Sequence, residues 1–226
     1  MKARIKIDGF ILSLVIFTTL FINYFFHDYG WQDEFFDFLG LIVILTGNLI
    51  RMSARSHKKK YSGQGHELVV SGPYAFVRNP MYLGTFLIGV GFALIVWPWF
   101  LFPIFVIVFY LRFNIQILKE EVHLRRLFPS SYDAYIKQVP KLLPPIQDLR
   151  QINLGQVFPI KDIWATKENN GLIFWPLIAI LLEMAQEGIV FGYIDVKKIL
   201  IVFGFSLIVF WLIIGVGYLR STTRYV

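Results

Sequence analysis

The chain has 226 residues and no cysteine; 56% of its positions are apolar and only 16% are charged. Because a soluble domain usually carries about 25% charged residues, this composition excludes an ordinary soluble enzyme, a disordered chain and a disulfide-stabilised scaffold. The 22 Lys and Arg residues exceed the 15 Asp and Glu residues, which gives a net charge of +7. In a soluble protein such an excess would suggest a nucleic-acid partner. In a membrane protein its meaning depends on which side of the membrane carries it.

Six apolar stretches are long enough to cross a bilayer, which takes about 20 mostly apolar residues per helix. They cover residues 9–26, 35–54, 81–97, 99–118, 172–190 and 199–219. Pro98, between Trp97 and Trp99, breaks the helical pattern, so the third and fourth stretches are predicted to form a tight hairpin. The expected fold is an all-α integral membrane protein with about six transmembrane helices. The first stretch lacks a small-residue cleavage site, and we interpret it as a retained anchor rather than a signal peptide.

Lysine and arginine are concentrated on one side of these stretches. Apart from Arg112, Lys197 and Lys198, all of them precede the first stretch, follow the sixth, lie from the last turn of stretch two to the start of stretch three, or lie between stretches four and five. Since positive residues accumulate in cytoplasmic loops, both termini and the two long loops are predicted to be cytoplasmic. No nucleic-acid partner is expected.

The chain divides into three regions. Residues 1–54 contain the first two helices, residues 55–145 contain the hairpin and the most patterned loops, and residues 146–226 contain an interfacial segment and the last two helices. Within the middle region, Gly72-Pro73 predicts a turn. Asn79 and Pro80 predict the start of a helix, with Asn as the N-cap and Pro at the first helical position.

A polar stripe runs along the fourth stretch. On a helical wheel one face carries Arg112, Gln116, Lys119, Glu120 and His123, while Asn114, Glu121 and Arg125 point the other way. Such a stripe inside a membrane must face the bundle interior, a water-filled cavity or a polar partner. A plainer interpretation, in which the residues only mark where the helix leaves the lipid, suits Lys119 better than Arg112, which lies two turns deeper. Cysteine is absent and the four histidines have no ligand spacing, so no metal site is predicted.

Three segments of the chain form an ordered pattern. They are residues 65–74 (GHELVVSGPY), residues 78–84 (RNPMYLG) and, after the hairpin, Glu120-Glu121 followed by Leu124, Phe128, Tyr132, Tyr135, Val139-Pro140 and Leu143-Pro144. This pattern resembles the isoprenylcysteine carboxyl methyltransferase family and the related phospholipid methyltransferases over about residues 45–145. The resemblance implies an integral-membrane enzyme that transfers a methyl group from S-adenosylmethionine to a membrane lipid or another lipophilic small molecule.

The resemblance also implies a set of site residues. The cofactor contacts would be His66, Leu68, Val69, Tyr74, Arg78, Asn79, Pro80, Met81, Tyr82 and Glu120. A carboxylate suits the ammonium or ribose of the cofactor, a helix N-terminus suits its carboxylate, and aromatic walls suit its sulfonium. The weaker catalytic candidates are Arg112 and Gln116 for the acceptor, and Glu121 and His123 for a proton from an amine.

The chain departs from the family pattern at two positions and leaves other interpretations open. Asn79 replaces a histidine, and Gln116 stands where prenylcysteine enzymes place a substrate-binding arginine. The acceptor therefore stays open among a prenylcysteine-like carboxylate, a phospholipid amine and another small lipid. Plainer roles are a surface loop for His66, an interfacial aromatic for Tyr74, and packing for Tyr82. The alternative functions are a sterol-type membrane reductase that uses NADPH and a non-catalytic membrane protein that retains the fold.

Overall fold

The computed structural model describes residues 31–96, 101–144, 166–190 and 192–223. The first apolar stretch, the turn at Pro98 and most of the predicted interfacial segment lie outside these residues. All regular structure in the described part is helical. The α-helices are α1 (Trp31–Tyr61), α2 (Pro73–Phe76), α3 (Pro80–Val96), α4 (Phe102–Leu127), α5 (Pro129–Gln138), α6 (Gly171–Val190) and α7 (Val196–Thr223).

Among the residues that the structure describes, three helical segments are long and apolar enough to cross a membrane. They are Glu34–Tyr61, Phe102–Leu127 and Glu168–Ile189. Helix α3 is apolar but shorter, and α7 covers the sixth predicted stretch. The described part of the chain is therefore all-helical, and the protein is an integral membrane protein, while the count of six crossings stays a prediction.

Helix α1 extends beyond its predicted apolar stretch, which ends at residue 54. It continues to Tyr61 through Lys58, Lys59 and Lys60 in its last turn. Lysines at this end stabilise the helix because they face the negative end of its dipole. The three lysines thus lie beyond the apolar stretch, in the helical turn that precedes the loop of residues 65–74.

Helices α1 and α3 touch backbone to backbone at two places. A Cβ atom added to Gly47 would lie 2.6 Å from the Gly84 carbonyl oxygen, and one added to Gly84 would lie 2.5 Å from that of Gly47. The same reciprocal contact occurs between Gly40 and Gly91, at 2.7 and 2.5 Å. Small residues permit this approach in membrane helices, so α1 and α3 form a closed seam.

Helices α6 and α7 cover another face of α1 with apolar side chains. Leu41, Ile44 and Leu45 of α1 are buried in one cluster with Ala179 of α6 and Phe203 of α7. This cluster fixes the end of α1 that lies away from its lysines.

Helix α4 is packed much more loosely. Its outer face exposes Ile104, Ile107, Leu111 and Ile115, each more than half exposed, as expected of a face in contact with lipid. Its inner face contacts α3 through aromatic rings: Tyr82 lies 5.5 Å from Phe113, and Phe86 lies 5.5 Å from Phe109, between ring centroids. Large side chains hold α4 away from the seam, so space is left between α4 and the α1–α3 pair.

Candidate active site

The space between α4 and the α1–α3 seam is a cavity of about 930 Å³. Side chains from α1, the loop after it, the start of α3, the inner face of α4 and α5 line it. Its volume lies at the upper end of the range of about 300–1,000 Å³ that is typical of small-molecule sites. The cavity can therefore hold a cofactor together with part of a second ligand.

The polar end of the cavity contains a tyrosine–carboxylate pair. The Tyr82 hydroxyl donates a hydrogen bond of 3.0 Å to Glu120 Oε2. Tyr82 lies in the first turn of α3 and Glu120 lies near the end of α4, so the bond joins the two helices across the cavity. It leaves the Oε1 atom of Glu120 available to a donor from a bound ligand.

The start of α3 is tied to the segment that follows α5. The Arg78 backbone N–H donates to the Pro140 carbonyl oxygen at 2.9 Å, and the Asn79 side-chain amide donates to the Lys141 carbonyl oxygen at 3.0 Å. Asn79 also donates to Glu121 Oε1 at 3.3 Å. The helix start predicted at Pro80 is confirmed, but the Asn79 side chain binds neighbouring segments. These bonds close the polar end of the cavity.

Arg78 keeps a buried donor for a ligand. Its Nη2 atom lies 3.6 Å from Glu121 Oε1. Its Nε atom is buried and has no hydrogen-bond partner among the described residues. Since a buried donor without a partner costs about 1–3 kcal/mol, an anionic group in the cavity would stabilise this guanidinium.

Tyrosines of α2 and α5 complete the polar end. The Tyr135 hydroxyl donates to the Tyr74 carbonyl oxygen at 2.6 Å. Burial, with a further contribution from the charge of Glu120, raises the pKa of the Tyr74 hydroxyl well above its ordinary range. Burial also raises the pKa of Tyr132 to about 12, with Glu121 as the next cause. All three tyrosines are therefore neutral near pH 7, so their hydroxyls keep the proton that they can donate.

The deeper end of the cavity is aromatic. Phe105, Phe109 and Phe113 line it from α4 at a spacing of four residues, which places them on one face of the helix. The Phe109 and Phe113 rings stack with their centroids 4.2 Å apart. This end can accept an apolar group from the bilayer.

Most residues implicated by the sequence pattern surround this one cavity. Its lining includes Leu68, Val69, Tyr74, Arg78, Asn79, Pro80, Met81, Tyr82, Arg112, Gln116, Glu120 and His123. Four of the five polar residues predicted on one face of α4 are thus brought together, while the fifth, Lys119, is exposed and does not line the cavity. Asn114, predicted to face away, accepts a hydrogen bond from Lys141 Nζ.

Two of the implicated residues do not line the cavity. His66 is exposed in the loop after α1. Glu121 turns toward Asn79 and Arg78, as its position on the wheel predicts. Glu121 can orient those two residues, but it does not face a ligand in the cavity.

Several lining residues were missed by the sequence reasoning. Arg51 and Thr85 line the cavity from α1 and α3, and the phenylalanines line it from α4. The four-residue spacing of Phe105, Phe109 and Phe113 was a usable signal, although the same spacing also suits a lipid-facing surface. Arg51 carried the weaker signal of an arginine inside an apolar stretch.

The fold and this cavity define a helical membrane protein with a binding site that is polar at one end and aromatic at the other. Residues 35–131 match the family described as "Phospholipid methyltransferase". The matched segment contains most of α1, all of α3 and α4, and nearly all of the cavity wall. The resemblance predicted from the sequence pattern is confirmed for this segment.

Curated relatives extend the similarity. The chain is 29% identical over 139 residues to "Protein-S-isoprenylcysteine O-methyltransferase" of Schizosaccharomyces pombe, covering 60% of this chain and 58% of the relative. It is 28% identical over 127 residues to the Xenopus laevis protein of the same name, covering 53% and 44%. A "Probable protein-S-isoprenylcysteine O-methyltransferase" of Oryza sativa subsp. indica is 30% identical over 122 residues, covering 50% and 63%.

The chain thus spans about half the length of the curated relatives that it matches. No solved structure matches it.

The cavity residues fit the methyl donor that methyltransferases of this kind imply. S-adenosylmethionine carries an ammonium, ribose hydroxyls, a carboxylate and a sulfonium. Glu120 Oε1 can accept from the ammonium or a hydroxyl, and the buried Nε of Arg78 can donate to the carboxylate. The aromatic rings near Tyr82 suit the sulfonium through cation–π contact.

Proposed function

We propose that the protein is an integral-membrane methyltransferase that uses S-adenosylmethionine and methylates a lipophilic acceptor dissolved in the bilayer. The observation that carries this proposal is the hydrogen bond between Tyr82 and Glu120 at the polar end of a cavity whose other end is aromatic. One ligand of this site must be polar and the other must be apolar. The family match over residues 35–131 and the names of the curated relatives support the same reaction.

The proposed topology follows from charge. With about six helices crossing the membrane, both termini, the loop around residues 62–72 and the polar end of the cavity would be cytoplasmic. A water-soluble cofactor would then enter from the cytosol, while the acceptor would reach the aromatic end from the bilayer. The exposed apolar face of α4 supports an orientation in which this helix borders the lipid.

The residues of the chain would act mainly by positioning. When bound, S-adenosylmethionine supplies an electrophilic methyl group on its sulfonium sulfur. Glu120, Arg78 and the backbone around Leu68 and Val69 would orient the cofactor, and the phenylalanines of α4 would exclude water. The relatively apolar wall favours a reaction in which charge is lost from the sulfonium.

The role of a proton acceptor depends on the acceptor group. A carboxylate needs no base, whereas an amine must lose a proton. Of the two predicted candidates, His123 lines the cavity and Glu121 does not. His123 is therefore the residue that we assign to this step if the acceptor is an amine.

The proposal is tested by measuring cofactor binding to the purified chain in detergent. Titration calorimetry should detect S-adenosylmethionine binding to the wild type and no NADPH binding. Glu120→Gln should weaken S-adenosylmethionine binding at least about tenfold, because a charge-assisted hydrogen bond contributes about 1.5–3 kcal/mol. Asp133→Asn is the matched control, since Asp133 is an exposed carboxylate paired with Arg125 at 2.7 Å outside the cavity.

Two results would overturn the proposal. Wild-type affinity in a folded Glu120→Gln variant would remove Glu120 from the cofactor site. Binding of NADPH instead of S-adenosylmethionine would favour the reductase alternative.

A further inference from the structure

Arg51 lines the cavity from α1, and its acidic partner comes from outside the segment that matches the methyltransferase family. Arg51 Nε and Nη2 donate to Glu168 Oε2 at 3.1 and 3.0 Å. Arg51 Nη1 donates to the Thr85 hydroxyl oxygen on α3. Glu168 lies in the short 3-10 turn at residues 167–170, directly before α6. The turn before α6 therefore orients a side chain in the cavity wall.

The guanidinium of Arg51 keeps donors for a ligand. An arginine carries five N–H groups, and the contacts with Glu168 and Thr85 use one on each nitrogen. One N–H on Nη1 and one on Nη2 therefore have no partner among the described residues, and each can donate to a carboxylate or phosphate. The side chain is 22% exposed and lines the cavity, so an anion in the cavity can reach it.

Glu168 compensates only part of the local positive charge. Arg55 Nη1 also lies 2.8 Å from Glu168, at its Oε1 atom. Two arginines thus share one carboxylate, and the group keeps a net positive charge. The Asn48 side-chain amide donates to the backbone oxygen of Glu168 at 3.3 Å and helps to hold the turn in place.

Arg51 and Arg112 line the cavity from two different helices, α1 and α4. Thr85, the hydrogen-bond partner of Arg51, lies on α3 between Tyr82 and Phe86. Those two rings contact Phe113 and Phe109 of α4. Arg112 lies in that same turn of α4 and also lines the cavity. Arg112 lies about two helical turns before Glu120 on α4, and Arg51 contacts Thr85 about one turn after Tyr82 on α3. Both arginines therefore lie on the side of the Tyr82–Glu120 pair that leads to the aromatic end.

We infer that Arg51 and Arg112 form a subsite for an anionic oxygen group, a carboxylate or a phosphate, on the membrane-dissolved acceptor. Glu168 is a positioning residue that holds the Arg51 guanidinium in this subsite. The inference rests on the proposed function and deepens it, since it identifies the charge of the acceptor. The apolar tail of the acceptor would lie along Phe105 and Phe109. Gln116 is neutral, so these two arginines would supply the positive charge.

The subsite is tested with short, soluble probes on the full chain in neutral detergent. Hexyl phosphate, hexanoate and hexanol share one apolar tail and differ only in the head group. Calorimetry on the wild type should show at least about tenfold tighter binding of one or both anions than of hexanol, as expected of charge-assisted hydrogen bonds. A preference between the two anions would distinguish a phosphate-bearing acceptor from a carboxylate-bearing one.

Variants then test which residues bind the anionic head group. Arg51→Gln should abolish the preference for anions while leaving S-adenosylmethionine affinity within about twofold. Arg55→Gln is the matched control, because Arg55 binds the same carboxylate but is half-exposed and does not line the cavity. If Arg51→Gln does not fold, Arg112→Gln tests the other half of the subsite and should reduce the preference in the same way.

The positioning role of Glu168 is tested by the effect of its variants on the preference for anions over hexanol. Glu168→Gln should reduce the anion preference several-fold even though it removes a competing negative charge, and Glu168→Asp should restore part of it. An unchanged or increased anion affinity in folded Glu168→Gln would overturn this role.

Failure of the subsite is distinguishable from failure of the proposed function. Equal affinity of the wild type for hexanol and both anions would overturn the subsite while cofactor binding still supported a methyltransferase. A loss of S-adenosylmethionine affinity in Arg51→Gln, with anion binding retained, would assign Arg51 to the carboxylate of the cofactor instead. Absence of cofactor binding in the wild type would overturn the proposed function itself.

Discussion

The two faces of α3 are built in opposite ways. Toward α1 the contact is backbone against backbone, with Gly47 facing Gly84 and Gly40 facing Gly91. Toward α4 the contact is made by aromatic rings that hold the helices apart and leave the cavity. The first face tolerates no added atom without a backbone shift, while the second is closed by hydrogen bonds at the polar end of the cavity. Stability should therefore depend mostly on the seam, and ligand binding on the bonds that close the cavity.

The largest expected effect comes from the seam. Gly47→Ala places a Cβ atom 2.6 Å from the Gly84 carbonyl oxygen and 2.9 Å from the Ile88 nitrogen. Because backbone atoms must move, we expect a loss of about 3 kcal/mol in stability and a lower melting temperature. Gly204→Ala is the control, since nothing lies within 4 Å of its added Cβ atom. Equal melting temperatures for the two variants would show that the seam is not close-packed.

The second-largest effect is expected at alkaline pH, where the raised pKa of Tyr132 should lower the stability of the protein. Tyr132 is buried, and its pKa is raised to about 12 from an ordinary value near 10. Between these two values the unfolded chain has lost a proton that the folded chain keeps, so stability falls as pH rises. This contribution is fully present below pH 10, and its loss reaches at most about 2.7 kcal/mol at pH 12.

Thermal unfolding at pH 8, 10, 11 and 12 measures this effect. Tyr132→Phe should have a flatter dependence on pH than the wild type, whereas Tyr110→Phe, on the exposed face of α4, should keep the wild-type slope. Parallel curves for the wild type and Tyr132→Phe would contradict a raised pKa at this position.

The joint between the start of α3 and the segment after α5 should have a somewhat smaller effect. Asn79→Ala removes the hydrogen bonds to the Lys141 carbonyl oxygen and to Glu121. We expect a loss of about 2 kcal/mol and weaker S-adenosylmethionine binding by calorimetry. Asn170→Ala, in the exposed position before α6, should change neither quantity. If the Asn79→Ala variant lost stability but kept its cofactor affinity, these hydrogen bonds would not contribute to the cofactor site.

The smallest effect is expected from a single hydroxyl. Tyr135→Phe removes the donor to the Tyr74 carbonyl oxygen and should cost about 1 kcal/mol. Denaturation of the purified variant measures this loss, with cofactor affinity expected to change by less than about threefold. A loss of binding without a loss of stability would mean that the Tyr135 hydroxyl contacts the ligand directly.

Much of the fold could be predicted because each helix that crosses a membrane needs a long apolar stretch, which is visible in the sequence. Apolar stretches long enough to span a bilayer predicted the positions of α1, α4 and α6 well. The wheel of α4 also predicted four of the polar residues that line the cavity, because a helix repeats every 3.6 residues and a polar group in lipid needs a partner. It was wrong for Lys119, which is exposed.

The remaining features depend on tertiary contacts that leave no local pattern. The Asn79 side chain was expected only as a cap, but it donates to a carbonyl oxygen 62 positions away. Arg51 and Glu168 are 117 positions apart, and neither lies in a recognisable motif. The two residues pair because the turn before α6 packs against α1.

The central claim is methyl transfer to a lipid, and one assay tests it directly. The purified chain is incubated with S-adenosylmethionine labelled in its methyl group and a lipid extract of the native membrane, and label is counted in the organic phase. We expect wild type and Asp133→Asn to transfer label, and Glu120→Gln to transfer at least about tenfold less. Organic-phase label that stayed at background for folded wild type with bound cofactor, or that was equal for wild type and Glu120→Gln, would contradict the account.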